Sequence, residues 1–334
     1  MDSSVSTAGN SRYYTYRKNK IFLYGPEFDW KSPAPAYIIT MVYVKRDGPN
    51  LSDKIRRPQW LKVSPFCGDR YQQIRSRLRD LTLHTVCEEA NCPNRGECFN
   101  SGTATFLLMG PICSRNCRFC NITGGRPGPV DPDEPKNVAL VAAELELDHV
   151  VVTSVTRDDL PDEGAGQFRE TVVEIRKALP KATIELLTPD FHARTELLDL
   201  VLSSEPTVFN HNVETVPRLY PTVRPKADYR RSLDVLEYAA RNYDSIRVKS
   251  GLMVGLGESP AELEQVFADL AEIGVEILTI GQYLAPSKNH HPIIRYYSPE
   301  EFADLKAAAE NRGIPVVVSA PLVRSSYKAG EAIS

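Results

Sequence analysis

The chain reads as an α/β protein: a partial (β/α)6 TIM-type barrel, preceded by a cysteine-bearing extension and ended by a C-terminal segment that closes the barrel mouth. Three observations predict this. Six β-branched or apolar runs alternate with amphipathic stretches from residue 103 onward, and repeated strand–helix alternation makes a parallel sheet. Six units, rather than the eight of a full barrel, leave that sheet open. A cysteine triplet follows directly on the first run, at the strand end where barrels of this type place their chemistry.

In chain order, residues 1–60 read as an N-terminal extension. MDSSVSTAGNSRYYTYRKNKIF is polar and aperiodic, and KSPAPAY and RDGPNLSDKIRRP are Pro-rich and charged, as linkers are. Met41 precedes VYVKRDGPNLSDKIRRPQWLKV, so residues 1–40 are expected to lie outside the fold; Asp2, Glu27 and Asp29 count against a transit peptide. Residues 61–102 carry a first cysteine triplet, 103–321 the barrel, and 322–334 a terminal segment. Strands are expected at 103–109, 149–155, 183–188, 207–213, 245–255 and 276–284, and helices at 137–147, 168–179, 229–242 and 260–274. The last helix repeats Leu263, Val266, Phe267 and Leu270 at i, i+3, i+4 and i+7, one helical face.

A net charge of −3 and a pI near 6.1 give no reason to expect a nucleic-acid partner. The best apolar run, AYIITMVYV, is about half the ~20 residues a membrane span needs. Without a basic, apolar leader pattern the expected location is cytoplasmic. There thiols stay reduced, and clustered cysteines bind metal or do chemistry rather than form disulfides.

Cys113, Cys117 and Cys120 stand in GPICSRNCRFCNITGG, with three and then two residues between them; Cys87, Cys92 and Cys98 stand in VCEEANCPNRGECF, with four and then five. Thiolates ligate iron–sulfur clusters and zinc. Structural zinc closes with four ligands, commonly two separated pairs. Three clustered cysteines instead suit a cubane with one iron left open. A zinc site pairing Cys117 and Cys120 with Cys87 and Cys92 stays in view, although it leaves Cys98 and Cys113 unexplained.

CxxxCxxC after a first barrel strand, with Phe119 before its third cysteine, resembles the radical S-adenosylmethionine superfamily. The two triplets together, with VVTSVTRDDLPDEGAGQF, VFNHNVETV, GLMVGLGE, IGQYLAPSKNHHPI and VRSSYKAGE, resemble the lipoyl synthase family from about Leu61 to Gly330. The resemblance implies two 4Fe-4S clusters and S-adenosylmethionine. One cluster, on Cys113, Cys117 and Cys120, cleaves S-adenosylmethionine to a 5′-deoxyadenosyl radical. The other, auxiliary cluster, on Cys87, Cys92 and Cys98, gives up sulfur for insertion at C6 and C8 of an octanoyl chain. The segment 61–102 is thereby a cluster-binding extension. The implied partners are an octanoylated lipoyl carrier protein (a lipoyl domain of a 2-oxoacid dehydrogenase, or a glycine cleavage H protein) and a low-potential donor such as ferredoxin or flavodoxin.

The family's fourth auxiliary ligand is the second serine of an RSSY motif, here Ser326, with Ser325 as its competitor. For S-adenosylmethionine, Thr153 and Ser154 at the end of the second strand are placed to hold the amino-acid part. Asn212 and Glu214 at the fourth strand's end are placed near ribose or carboxylate, and Gly255 in GLMVGLGE allows close approach of the adenosyl group. Caps and turns explain such residues equally well. Arg218 and Arg224 are either anion-orienting or solvated. His290 and His291 are adjacent and so point to opposite sides of an extended segment, which reads as a substrate-facing or surface loop. Cys67 reads as a free thiol without a role. Other readings are a different radical sulfur-inserting enzyme and a two-cluster electron carrier, although such carriers use compact repeated cysteine motifs.

Overall fold

The computed structural model describes residues 13–17, 20–24, 56–62, 68–100, 103–327 and 329–333. The chain divides into two compact units, Met1–Asp53 and Lys54–Ser334. In the first, β1 (Tyr13–Arg17) and β2 (Lys20–Tyr24) pair antiparallel, Tyr13 opposite Tyr24. The linker-like composition hides this hairpin. Its signal is two β-prone runs, YYTYR and KIFLY, set two residues apart. The expectations for the Pro-rich stretches, Met41 and Cys67 fall outside the described residues.

The second unit opens with α1 (Asp69–Asp80), β3 (His84–Thr85), α2 (Val86–Glu89) and α3 (Arg95–Asn100). The barrel strands are β4 (Thr105–Leu108), β7 (His149–Ser154), β8 (Thr183–Leu187), β9 (Val208–Asn210), β10 (Arg247–Val254), β11 (Ile277–Gln282) and β12 (Val316–Ala320). Between β4 and β7 lies a small ribbon of β5 (Ile112–Cys113) and β6 (Thr123–Gly124). The helices are α4 (Glu134–Glu144), α5 (Ala165–Ala178), α6 (Thr195–Leu202), α7 (Tyr220–Val223), α8 (Tyr229–Asn242), α9 (Pro260–Glu272) and α10 (Pro299–Asn311). One eight-stranded sheet runs β12-β11-β10-β9-β8-β7-β4-β3, all parallel except the antiparallel edge β3. Six β/α units, from β4 through α10, make the open partial barrel expected from the sequence.

Local chemistry explains the elements. Helices α9 and α10 each begin with a Ser–Pro pair and a complete capping box, Ser259 with Glu262 and Ser298 with Glu301, which satisfies otherwise orphaned N–H groups. The predicted face of α9 is buried along its whole length. Strand β11 is buried at all six positions, as a parallel strand covered on both faces must be. Strand β12 and helices α6 and α10 are additions to the sequence-based set. VVVSA is β-branched, yet it merges with the apolar run that follows it, which obscured its boundary.

One buried network crosses the sheet. The Lys249 ammonium on β10 donates to both oxygens of Glu185 on β8 at 2.8 and 2.9 Å, and Asn210 on β9 donates to the same carboxylate. All three side chains are fully buried. Pairing of this quality is what makes burying the charges tolerable.

Candidate functional site

Strand β4 ends in a turn at Met109 and Gly110, with φ of 66° and 81°. Both carboxylate oxygens of Glu134, at the start of α4, accept the Met109 N–H, at 2.9 and 3.0 Å. Strands β5 and β6 then pair in parallel, Cys113 beside Gly124. The ribbon thereby gathers Cys117 and Cys120 into one loop with Cys113. The Cys113 sulfur accepts the N–H groups of Arg115 at 3.4 Å and Thr156 at 3.3 Å.

Arg115 locks this loop. Its guanidinium, with the side chain 4% exposed, forms paired hydrogen bonds to Asp158 and to Asp190 at 2.7 to 3.2 Å. Asp158 follows β7 and Asp190 follows β8, so the cysteine loop is tied to the ends of the next two strands. Ser114 adds a hydrogen bond to Asp158, and Lys226 donates to the Ser114 carbonyl. Burial alone would raise Asp190, but the Arg115 guanidinium holds its carboxyl far below the usual range. Burial pushes the Cys120 thiol up to about 12, and Cys117 and Cys113 push it the same way. Burial likewise raises Cys117, with Arg224 opposing. Buried thiolates that repel one another need a cation among them, which is the donor chemistry of an iron–sulfur cluster.

At the ends of β7 and β9, Ser154 Oγ and Asn212 Oδ1 are buried without a protein partner. Asn212 donates from Nδ2 to Glu214 at 3.1 Å, and burial raises the Glu214 carboxyl while Arg224 lowers it. Phe119 is part-buried against the core. Ser154 and Asn212 thus keep buried polar capacity that the chain itself does not satisfy. Thr153 is occupied: its hydroxyl donates to the Leu187 carbonyl at 2.7 Å, tying β7 to β8. Gly255, at φ 100°, gives its N–H to Glu258, and a Cβ there would collide with the Gln282 amide. The chain's own packing therefore accounts for that glycine.

The two arginines part company. Arg218 is a surface partner of Glu262, whereas Arg224 is buried, donates to the Asn212 and Val213 carbonyls and lies 5.1 Å from the Tyr220 ring centroid. His290 Nε2 donates to the Cys120 carbonyl at 3.1 Å, and His291 Nε2 to the Leu256 carbonyl at 3.0 Å, so each is spent on backbone. A cleft of about 420 Å³ opens beside Cys117, lined by Asn116, Arg118, Pro225, Lys226, Asn289 and His290, with no acidic residue among them.

The other triplet lies at the opposite end of β4. Cys87, Cys92 and Cys98 line a small pocket with Asn94, Thr103, Thr105, Arg324, Ser326 and Tyr327. Ser325 is not among the lining residues. Burial pushes Cys87 and Cys98 up to about 12, and Cys92 raises both. Burial also lowers Arg324, whose positive charge Cys92 favours. Three thiols whose ionised forms repel one another, a hydroxyl and one cation fit an anionic cluster with a single oxygen ligand. The pocket starts at Thr105 and the other loop follows Leu108, so the strand between them spans about 13 Å at ~3.3 Å per residue.

Arg115, Asp158, Asp190, Asn94 and Glu97 were not singled out from the sequence. The first three carried a readable signal, a charged residue between two cysteines and carboxylates just past two predicted strands. Asn94 and Glu97 looked like mere spacer.

A model of the radical SAM superfamily matches residues 107–270, and a model of the N-terminal domain of lipoyl synthase of the radical SAM family matches residues 3–92. The maturase HydG of the FeFe-hydrogenase shares the fold at a TM-score of 0.51 and 15% identity, over 77% of this chain and 67% of its own. Streptococcus suis SuiB bound to S-adenosylmethionine does so at 0.50 and 11%, over 75% and 56%. The lipoyl synthase of Bacteroides thetaiotaomicron is 49% identical over 279 residues, 84% of this chain and 98% of that protein. That of Nitratidesulfovibrio vulgaris is 52% identical over 283 residues, 85% and 94%. At this identity and coverage, the chain belongs to the lipoyl synthase family of the radical S-adenosylmethionine superfamily.

Proposed function

We propose that this chain inserts two sulfur atoms, at C6 and C8, into an octanoyl chain held on a lysine of a lipoyl carrier protein, with its two cysteine triplets dividing the work. The observation that carries this is their placement at the two ends of β4, with Ser326 brought into one of them. When bound, a cubane on Cys113, Cys117 and Cys120 supplies the electron that cleaves S-adenosylmethionine, and a second cubane supplies the sulfur. Cys87, Cys92, Cys98 and Ser326 would hold that second cluster, as the shared pocket supports.

The chain's own residues do the positioning. Arg115 fixes the cysteine loop against two strand ends. Ser154, Asn212 and Glu214 offer buried polar atoms to the amino and carboxylate groups of S-adenosylmethionine, with Arg224 balancing charge. Thr153 acts by joining strands. Each C–S bond replaces one C–H bond, and each hydrogen abstraction consumes one S-adenosylmethionine, so one product requires two. A lipoyl domain of a 2-oxoacid dehydrogenase or a glycine cleavage H protein is the carrier, and a ferredoxin or flavodoxin the donor. Among the described residues no helix is long and apolar enough to cross a membrane, and six reduced cysteines fit the cytoplasm.

The test uses two triple variants. Changing Cys113, Cys117 and Cys120 to Ala should abolish S-adenosylmethionine cleavage while about four irons per chain remain. Changing Cys87, Cys92 and Cys98 should leave cleavage measurable and stop sulfur insertion. Full lipoylation by either variant would refute the division.

A further inference from the structure

We infer that Asn94 and Glu97 are positioning residues that clasp the chain end and set how firmly Ser326 holds the auxiliary cluster. This rests on the reading of Ser326 as that cluster's oxygen ligand. Both residues lie between Cys92 and Cys98, in the stretch PNRGE. Asn94 is buried, and its Nδ2 donates to the Leu322 carbonyl at 2.7 Å. Exposed Glu97 accepts the Tyr327 hydroxyl at 3.0 Å. The two contacts bracket Ser326, one before it and one after it.

The backbone divides the segment between them. Up to Val323 it is fixed: the Gln282 N–H donates to the Pro321 carbonyl and the Val323 N–H to that of Ala320. The Val323 carbonyl presses so closely on Gly281 that any Cβ there would collide with it. Beyond Val323 the chain turns, Tyr327 N–H to Arg324 carbonyl at 2.9 Å, and Ser326 sits inside that turn. Asn94 holds the fixed side and Glu97 the turned side. A hydroxyl is a harder ligand than thiolate and binds iron–sulfur weakly by itself. Its occupancy therefore depends on how well the turn is held in place. The five-residue spacer thus does more than join two ligands: it carries the clasps that bring a fourth ligand from the far end of the chain.

The experiment measures the rate at which a chelator extracts iron from the reconstituted full-length holoprotein, with Ser326→Ala marking the iron that depends on the hydroxyl. Losing one hydrogen bond should speed that release about three- to tenfold in Tyr327→Phe and Glu97→Ala. Glu97→Gln keeps an oxygen that can accept the Tyr327 hydroxyl, so it should restore the native rate. Asn94→Asp, which removes the donor, should show the largest increase. Thermal midpoints of the Glu97 and Tyr327 variants should match the parent, because Glu97 is exposed. If Tyr327→Phe and Glu97→Ala release iron at the native rate while Ser326→Ala is fast, the clasp is wrong and the ligand reading stands. If Glu97→Gln behaves like Glu97→Ala, charge near Cys98 is responsible and the clasp is again overturned. If Ser326→Ala is itself native, the ligand reading fails and takes the clasp with it. Should Asn94→Asp not fold, the Glu97 and Tyr327 variants decide alone.

Discussion

The two cysteine sites share one strand and differ in how they are held. At the C-terminal end of β4 the loop of Cys113, Cys117 and Cys120 is locked by a buried guanidinium gripping two carboxylates, and it faces an open cleft. At the N-terminal end Cys87, Cys92 and Cys98 are closed over by the C-terminal segment, whose contacts include a neutral hydrogen bond to a carbonyl and a hydroxyl-to-carboxylate contact. Removing one partner of a buried ion pair costs about 3–5 kcal/mol, against about 1 kcal/mol for an ordinary hydrogen bond. The difference suits the division of labour. On the proposed reading, the centre that must return unchanged after each turnover is fixed by strong contacts, and the one that gives up atoms is fastened by contacts that can part.

The largest effect should come from the weaker side's proposed ligand. Ser326→Ala should lower single-turnover lipoyl product about a hundredfold or more, since losing a direct ligand should exceed the 10–100-fold cost of losing a ligand's outer partner. S-adenosylmethionine cleavage should persist, and Ser325→Ala should behave as the parent. If Ser325→Ala is the inactive one, the assignment is wrong by one residue. Ser326→Cys should hold the cluster at least as well, yet slow sulfur release.

Next comes the lock. Arg115→Ala should cost about 3 kcal/mol in denaturant unfolding, the low end for breaking a buried ion pair, because buried Asp190 keeps Arg231 at 3.3 Å. It should also lower iron loading at Cys113, Cys117 and Cys120 more than at the other triplet. Equal loss from both clusters would show that the lock serves general stability rather than this loop.

Acid should reach the locked side first. Burial, with Arg224 beside it, lowers His211 to about 4; the ring lies between the Thr188 carbonyl and the Ser232 hydroxyl. The folded pKa lies below the unfolded value, so this stability is present above pH ~6.5 and is lost as pH falls toward 4, on the order of 3 kcal/mol in all. Asp190, also lowered, adds loss in the same direction below the ordinary carboxylate range. Thermal midpoints measured from pH 7 to 4 should fall, and His211→Gln should flatten the slope above pH 4. A slope unchanged by that substitution would mean other groups govern acid sensitivity.

The smallest effect should be at Arg218. Its pair with Glu262 is exposed, so Arg218→Ala should leave stability nearly unchanged and S-adenosylmethionine cleavage intact. A large loss of cleavage would bring Arg218 back as an anion-orienting residue.

The sequence by itself determined the six β/α units, the placement of one cysteine triplet past the first strand, and the family. Those depend on short-range patterns: continuous β-branched or apolar runs in the strands, a helical period such as Leu263, Val266, Phe267 and Leu270, and ligand spacing along a single loop. Tertiary structure decided what those patterns cannot encode. It spent the Thr153 hydroxyl on Leu187 and left Ser154 unpartnered one residue later, although the two look alike in sequence. It buried Arg224 and exposed Arg218, both read alike as candidate anion-binders. It brought Asp158 and Asp190 to Arg115, and Asn94 and Glu97 to a chain end more than 200 positions away. The physical reason is the same in each case. A hydrogen bond acts over about 3 Å, so which polar group finds a partner depends on how distant segments cross, and no local period records that crossing.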